Sequence, residues 1–181
     1  MKNPLAQKIL FLKVKNQDPD AYGQFYDLYV KRIYRFIFFK VNSVSDTQDI
    51  TSEVFLKVWQ YLKEGKEVKN LNAFVYLIAR NSVVDFFRAR QRQAENLQTD
   101  GLPEVADKNQ DLLGRQILES DLNSTLKGLN NLKDEYREII VLRFLDELSI
   151  SEIAEVLNKS KGSVRILLHR ALKALKDNVS H

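Results

Sequence analysis

The sequence has 181 residues with a net charge of +4, and 44% of them are hydrophobic, which is enough apolar material for packed cores. Because cysteine is absent and histidine occurs only twice, disulfides, thiol nucleophiles and the usual zinc sites are excluded, and there is no glycine-rich phosphate-binding loop. No apolar run approaches the roughly 20 residues that span a bilayer, so we expect a cytoplasmic protein without membrane insertion, and the composition argues against most enzyme classes.

The first predicted elements are helices, because apolar residues recur at three- and four-residue steps. Residues 21–41 are expected to form one long helix or two abutting ones. Ser45 and Gln48 then match a capping box, in which Ser45 accepts from a free amide and Gln48 reaches back. The helix that this box starts is expected to end at about Leu62.

A polar loop over residues 63–71 leads to a second long helix, predicted over residues 72–92. This helix is apolar around most of its circumference, which indicates that it is largely buried. Its polar positions are Arg80, Asn81, Asp85 and Arg88. A basic helix end of this kind is either an ordinary solvated face or a DNA contact, and the residues alone leave both readings open.

Residues 93–111 are rich in Asp, Glu, Asn and Gln, and they lack the apolar material needed to offset the entropy of ordering. The charge changes sign here: residues 1–90 carry 15 Lys and Arg against 9 Asp and Glu, whereas residues 91–123 carry 3 against 7. We therefore expect an all-α protein made of two small helical domains and a flexible acidic linker. The predicted boundaries are 1–92, 93–111 and 112–181.

The most informative segment is a helix-turn-helix pattern near the C-terminus. A capping box with a hydrophobic staple starts a short helix that ends at Leu157. A turn at residues 158–160 and a longer amphipathic helix to about Leu175 follow. This order is typical of the motif that reads the DNA major groove. The capping residues are Leu148, Ser149, Glu152 and Ile153.

The positive charge of this segment is concentrated on its second helix. Residues 159–176 contain six Lys and Arg and no acid, whereas residues 133–155 contain three Lys and Arg and seven acids. Phosphate attracts the first group and repels the second, which would orient the motif on DNA. The alternative is an amphipathic hairpin with a solvated basic face, but caps, spacing and charge together favour DNA binding.

A second candidate surface lies on the helix that follows Ser45. Asp49, Glu53 and Lys57 form a charged stripe at four-residue steps, beside Phe55 and Trp59. The stripe is either a partner-binding surface or an ordinary charged face. Aromatic rings in the first domain either pack in its core or stack on unpaired bases, and the sequence leaves open which rings are exposed.

Four segments, at residues 26–35, 49–59, 73–85 and 152–171, carry a resemblance to a known family. In this order they resemble bacterial RNA polymerase sigma factors of the extracytoplasmic-function (ECF) group of the sigma-70 family, across nearly the whole chain. The two domains of that family bind the minus-10 and minus-35 promoter elements, and the first also binds the polymerase core. The resemblance implies a non-catalytic subunit that directs promoter-specific transcription initiation, without a cofactor or metal.

The resemblance also assigns residues to three surfaces. The minus-35 surface would comprise Lys161, Ser163, Arg165, Ile166, His169 and Arg170. The minus-10 surface would comprise Arg80, Asn81, Val84 and Arg88, with the loop at residues 63–71 holding a flipped base. The core polymerase surface would comprise Asp49, Glu53, Phe55, Lys57, Val58 and Trp59.

The partners that the resemblance implies are the RNA polymerase core, promoter DNA and an anti-sigma factor. The chain departs from the family pattern at Ile166 and in the turn at residues 158–160. These departures leave undetermined which minus-35 bases it reads, but they do not change its expected role in minus-35 binding. The alternative function is a helix-turn-helix regulator that binds operator DNA as a dimer and is not a polymerase subunit.

Overall fold

The computed structural model describes residues 4–97, 129 and 131–179, and in these ranges every regular element is helical, as the sequence predicts. A π-helical turn, Val141–Leu145, continues the fifth helix. The helices are α1 (Pro4–Lys15), α2 (Pro19–Val41), α3 (Val44–Lys63), α4 (Leu71–Leu97), α5 (Asp134–Ile140), α6 (Ile150–Leu157) and α7 (Lys161–Val179). We call residues 4–97 the N-terminal unit and residues 129–179 the C-terminal unit.

Helix α1 was not expected from the sequence. Pro4 and Pro19 are the first residues of α1 and α2, a position where proline loses no hydrogen bond and its fixed φ suits a helix. The apolar side of α1 packs on α2: Val14 is fully buried, and the ring of Phe11 lies 6.3 Å from that of Phe25. Residues 21–41 belong to the single helix α2, so the two-helix alternative is wrong.

The predicted cap of α3 is wrong by two residues. Ser43, and not Ser45, is the N-cap, since its backbone is extended and its side chain accepts from the amide of Asp46 at 3.4 Å. Ser45 lies within the first turn. Serines at both positions match the local preference for a cap, and Asn42, with a left-handed φ of 53°, ends α2 directly before the earlier one.

Helix α4 is longer than predicted. It begins at Leu71 and continues to Leu97, so residues 93–97 are helical and the expected linker does not begin at residue 93. Asn70 caps its N-terminus by accepting from the amide of Ala73 at 3.1 Å. The remainder of the predicted linker, residues 98–111, and the predicted start of the second domain at residue 112 lie outside the described residues.

The helix-turn-helix is confirmed. Ser149 accepts from the amide of Glu152 at 3.2 Å, while the Glu152 carboxylate accepts from the amide of Ser149 at 2.8 Å, which completes the capping box of α6. The turn follows at Asn158, whose left-handed backbone ends α6. Helix α7 then extends to Val179, four residues beyond the predicted end.

The buried apolar residues form a core that includes helices of both units. Tyr29 and Tyr76 are fully buried in the N-terminal unit, and Ile139, Leu148 and Ile153 in the C-terminal unit. The two units meet where α6 packs on α4. At the junction, acidic residues of the C-terminal unit meet basic and amide side chains of the N-terminal unit.

Candidate DNA-binding and polymerase-binding surfaces

All six residues assigned to minus-35 reading lie exposed on α7. The opposite side of α7 holds it in place, because Val164 and Ala171 are fully buried and Leu167 is nearly so. Ile166 is 57% exposed, a large apolar side chain on a polar surface. Such a side chain can contact the methyl group of a thymine in the major groove. The exposed residues are Lys161, Ser163, Arg165, Ile166, His169 and Arg170.

The N-terminus of α7 is capped by Ser160. Its hydroxyl oxygen accepts from the amide of Ser163 at 3.1 Å and also lies 2.9 Å from the Ser163 hydroxyl oxygen. Both hydroxyls are exposed, and they sit at the positive end of the helix dipole. An approaching phosphate would therefore meet hydroxyl and amide donors together with Lys161.

The residues assigned to the minus-10 surface lie along α4, but they are not equally accessible. Asn81 and Arg88 are exposed, and Val84 is half-buried. The Arg80 side chain is 34% exposed, and its Nε donates to the Glu138 carboxylate at 3.2 Å. Glu138 belongs to the C-terminal unit, so one residue of this surface is already engaged within the chain.

The loop between α3 and α4, residues 64–70, borders a cleft of about 120 Å³. Val68 anchors the loop in the core, and Lys66 lies over the Tyr61 ring at 5.1 Å. Glu155, on α6, forms part of the cleft wall opposite the loop. The C-terminal unit therefore borders the predicted base-binding loop as well as Arg80.

The residues assigned to polymerase binding do not share one surface. Asp49 and Glu53 are exposed on α3, and Lys57 and Trp59 are half-buried. Lys57 Nζ lies 2.7 Å from the Glu53 carboxylate, and it donates to the Ser82 hydroxyl on α4 at 3.1 Å. The structure corrects the expected exposure of Phe55 and Val58, because their side chains are 4% and 0% exposed and pack in the core. Their spacing places them on the inner side of the amphipathic helix, beneath the exposed residues of α3.

One exposed apolar residue on α3 is not among the predicted site residues. Leu56 is 55% exposed and lies one turn after Glu53. Tyr26, which is 41% exposed, packs edge-on against Phe55 and places a second apolar group on α2 nearby. A leucine beside a charged stripe, on the same exposed side of the helix, is the sequence signal that could have identified Leu56.

Three acidic residues at the junction of the two units are also absent from the predicted site residues. Glu138 bonds Lys40 at 3.1 Å and Arg80 at 3.2 Å. Asp146 is buried against Arg35, and burial raises the pKa of its carboxyl although Arg35 lowers it. Glu152, which caps α6, is the third.

Glu152 closes a hydrogen-bond chain that crosses four helices. Gln7 donates to the Tyr29 hydroxyl at 3.2 Å, which donates to Asn72 at 2.9 Å, and the Asn72 amide donates to Glu152 at 2.7 Å. Burial raises the pKa of Tyr29 to about 12, so this hydroxyl stays protonated. Burial alone would raise the pKa of Glu152, but hydrogen bonds from Asn72 and Ser149 hold it below its usual range.

Family models match both units. Residues 25–93 match the model for sigma-70 region 2, and residues 123–175 match the model for sigma-70 region 4. The ECF RNA polymerase sigma factor SigW of Bacillus subtilis is 30% identical over 91% of this chain and 91% of its own length. The chain belongs to the ECF RNA polymerase sigma factors. It therefore directs promoter-specific transcription as a sigma subunit of RNA polymerase.

Another relative of this sigma factor is longer. The ECF sigma factor BldN of Streptomyces coelicolor is 32% identical over 87% of this chain, and the match spans 60% of the BldN length. The fold is shared with CnrH in complex with the cytosolic domain of CnrY, at a TM-score of 0.66 and 20% identity, covering 95% of this chain and 96% of CnrH. It is also shared with RpoE of Bartonella quintana in complex with the anti-sigma factor NepR, at a TM-score of 0.66 and 21% identity. This match covers 88% of this chain and 96% of RpoE.

Two further observations concern residues 4–97 and 131–179. No helix in these ranges has both the length and the apolar composition that crossing a bilayer requires. Within the same ranges, no three acidic or histidine side chains converge in a way that would hold a metal ion.

Proposed function

We propose that the exposed face of α7 reads the minus-35 element. The observation that carries this proposal is the capped helix-turn-helix with Lys161, Ser163 and Arg165 exposed in the first turns of its second helix, where this motif approaches base edges. Arg165 suits bidentate contact with a guanine edge. Arg170 lies further along the helix and suits a phosphate contact, which adds affinity without sequence preference.

We propose that α4 and the loop before it engage the minus-10 element. The exposed Asn81 and Arg88 would contact the DNA strand, with Val84 between them and Arg80 joining when it is released from Glu138. The cleft beside Val68 would accept an unpaired base. Phe87, which is 44% exposed on the same helix, offers a ring for base stacking.

We propose that the exposed side of α3 binds the polymerase core. Support comes from Asp49 and Glu53, which supply charge, and from Leu56, which supplies apolar area between polar residues. Interfaces commonly combine a small apolar centre with a polar rim. Lys57 and Trp59 would lie at the edge of this surface, and Phe55 and Val58 beneath it.

We further propose how the whole chain is organised and regulated. The first domain would end within α4, an acidic linker would follow, and the second domain would cover the remainder to residue 181. An anti-sigma factor is proposed as a regulator, because RpoE, which shares the fold, was determined with one. The chain would act in the cytoplasm as a non-catalytic subunit, since the reaction itself belongs to the polymerase.

The experiment that tests the polymerase-binding surface is a charge reversal at Asp49. Purified core polymerase would be titrated with fluorescently labelled chains carrying Asp49→Lys or, as a matched control, Glu95→Lys. Both positions are exposed on helices of the N-terminal unit, and both substitutions change the charge equally. Weaker association for Asp49→Lys alone supports the assignment. Equal association of both folded variants would show that the α3 face is exposed to solvent and does not bind polymerase.

A further inference from the structure

Helix α1 carries apolar residues on two opposite sides. The inner side packs on α2, and Val14 on that side is fully buried. The outer side carries Leu5, Ile9 and Leu12, which are 63%, 48% and 61% exposed, and we call these three residues the α1 stripe. They are three of the nine large apolar side chains that are exposed in the described part of the chain, and they are neighbours on one helix. A contiguous exposed patch marks an interaction site, whereas single exposed apolar residues do not.

The spacing of the α1 stripe is that of a coiled-coil seam. Leu5 and Ile9 are four residues apart, and Ile9 and Leu12 are three apart, so they occupy the d, a and d positions of a heptad. An isoleucine at position a with leucines at position d is the combination that favours the pairing of two helices. The stripe therefore has the pattern of one side of a two-helix interface.

Lysines border the α1 stripe on both sides. Lys8 is at the g position of the heptad and Lys13 is at the e position, and both are exposed. Lys15, at the next g position, donates to the Lys69 carbonyl oxygen at 3.5 Å, so the charge beside the stripe comes mainly from Lys8 and Lys13. Residues 1–17 contain four lysines and no acidic residue. Because residues at e and g select the partner by charge, this surface favours a helix with Glu or Asp at its own e and g positions.

A second copy of this chain and a lipid surface fit the α1 stripe less well. In a parallel helix pair g faces e, and in an antiparallel pair g faces g and e faces e, so lysines of two copies would meet in both orientations. The stripe is also narrow, since its residues span about 60° of the helix circumference. Helices that lie on membranes present a broad apolar face, commonly with aromatic residues.

We propose that the outer face of α1 is a docking site for an amphipathic helix of another protein, with an apolar seam against the α1 stripe and acidic residues facing Lys8 and Lys13. Three exposed side chains give a smaller apolar contact than a standard interface does, so we expect the partner helix to be short and its binding to be reversible. Helix α1 contributes no residue to the surfaces proposed for DNA and for polymerase. The inference therefore does not depend on those proposals.

The test uses the full chain and a fluorescent synthetic helix with Ile at position a, Leu at d and Glu at e and g. By fluorescence anisotropy, the wild-type chain should bind this acidic peptide and should not bind a matched peptide with Lys at e and g. A scrambled acidic peptide, with the same composition but no heptad spacing, controls for charge alone, because the basic helix α7 attracts any acidic peptide. No binding of the acidic heptad peptide, or equal binding of the scrambled one, would overturn the proposal.

Variants of the chain locate the binding site of the peptide. Lys8→Glu with Lys13→Glu should weaken binding of the acidic peptide about tenfold, since attraction becomes repulsion at two positions, and should allow the Lys peptide to bind. Arg90→Glu with Arg92→Glu is the matched control, because it makes the same charge change near the C-terminal end of α4, whereas α1 contacts the loop at its N-terminal end. Leu12→Gln should remove peptide binding without changing the circular dichroism spectrum. Equal peptide affinity of the wild type and the α1 charge variant would overturn the proposal.

Two further measurements test the other occupants. Cosedimentation with vesicles of phosphatidylglycerol and phosphatidylcholine tests a lipid surface, and sedimentation velocity of the chain alone tests a second copy. Peptide binding by a chain that is monomeric and does not bind vesicles supports the proposal. Vesicle binding or dimerisation that is lost in Leu12→Gln would overturn the proposal in favour of that occupant.

Discussion

Glu152 Oε1 lies 2.7 Å from Asn72 Nδ2, so the side chain that caps α6 also joins the two units. The same oxygen lies 3.3 Å from the side-chain nitrogen Nδ2 of Asn70, the residue that caps α4. Two helix N-termini therefore meet at one carboxylate, and both helix dipoles favour its negative charge. One side chain therefore contributes both to the cap of the helix-turn-helix and to the contact between the two units.

This relationship predicts a pH-dependent effect of Glu152→Gln. Because the pKa of Glu152 in the folded chain lies below its ordinary value of 4.5, its ionised form stabilises the fold at pH values above 4.5. That contribution is lost as the pH falls through the folded-state pKa. We therefore expect Glu152→Gln to lower the free energy of unfolding more at pH 7 than at pH 3. Urea unfolding of both proteins at the two pH values tests this, and an equal difference at both would contradict it.

The cap of α6 predicts a loss of stability in Ser149→Ala. The Ser149 hydroxyl satisfies an amide that would otherwise lack a partner, and its removal should cost about 0.5–2 kcal/mol. Ser151→Ala is the matched control, because this serine lies in the first turn of α6 but is not its N-cap. Thermal unfolding distinguishes them. A Ser151→Ala protein as destabilised as Ser149→Ala would show that the cap is unimportant.

Neighbouring residues on α3 are predicted to behave oppositely. Phe55→Ala should destabilise the fold by about 3–5 kcal/mol, because the buried ring packs against Phe25 and leaves a cavity. Leu56→Ala should change stability by no more than about 0.5 kcal/mol, since Leu56 is exposed, yet it should weaken polymerase association. Chemical unfolding and a polymerase titration on both variants check this. Normal polymerase affinity in folded Leu56→Ala would remove Leu56 from the proposed surface.

The helix-turn-helix and most helix positions could be predicted because their signals are local. Ser149 and Glu152 are three residues apart, and the capping box that they form depends on that spacing alone. The junction between the units could not be predicted in this way, because Arg80 and Glu138 are 58 residues apart in the chain. The acids of residues 133–155 were interpreted as a face that repels phosphate. Three of them instead form ion pairs with basic side chains or accept hydrogen bonds from amide side chains of the N-terminal unit.

The errors on α3 have a different physical origin. An amphipathic helix presents two adjacent rows of apolar residues, and the sequence does not determine which row the core covers when aromatic residues occur in both. The family resemblance assigns Phe55 and Val58 to the polymerase surface, but α2 and α4 pack against that side of α3. Leu56 was not assigned to a surface, because its neighbours on the exposed side of the helix are polar. Tertiary packing decided both cases.

Arg165 and Arg170 on α7 are predicted to make different contributions to promoter binding. Arg165→Ala should relax preference at one position of the minus-35 element and cost about 1–3 kcal/mol at the preferred base. Arg170→Ala should weaken all promoters equally and reduce the salt dependence of binding by about one phosphate contact. Binding of holoenzyme to a panel of minus-35 variants at two salt concentrations separates the two effects. The reverse pattern would mean that α7 is oriented differently in the groove.

The most direct test of the account is run-off transcription with purified core polymerase, on a pool of promoter fragments from the source genome. We expect discrete transcripts only when this chain is added, and their loss when Asp49→Lys replaces the wild type but not when Glu95→Lys does. No transcription above that of core polymerase, together with binding of duplex DNA by the chain alone as a dimer, would contradict the account and indicate a helix-turn-helix regulator.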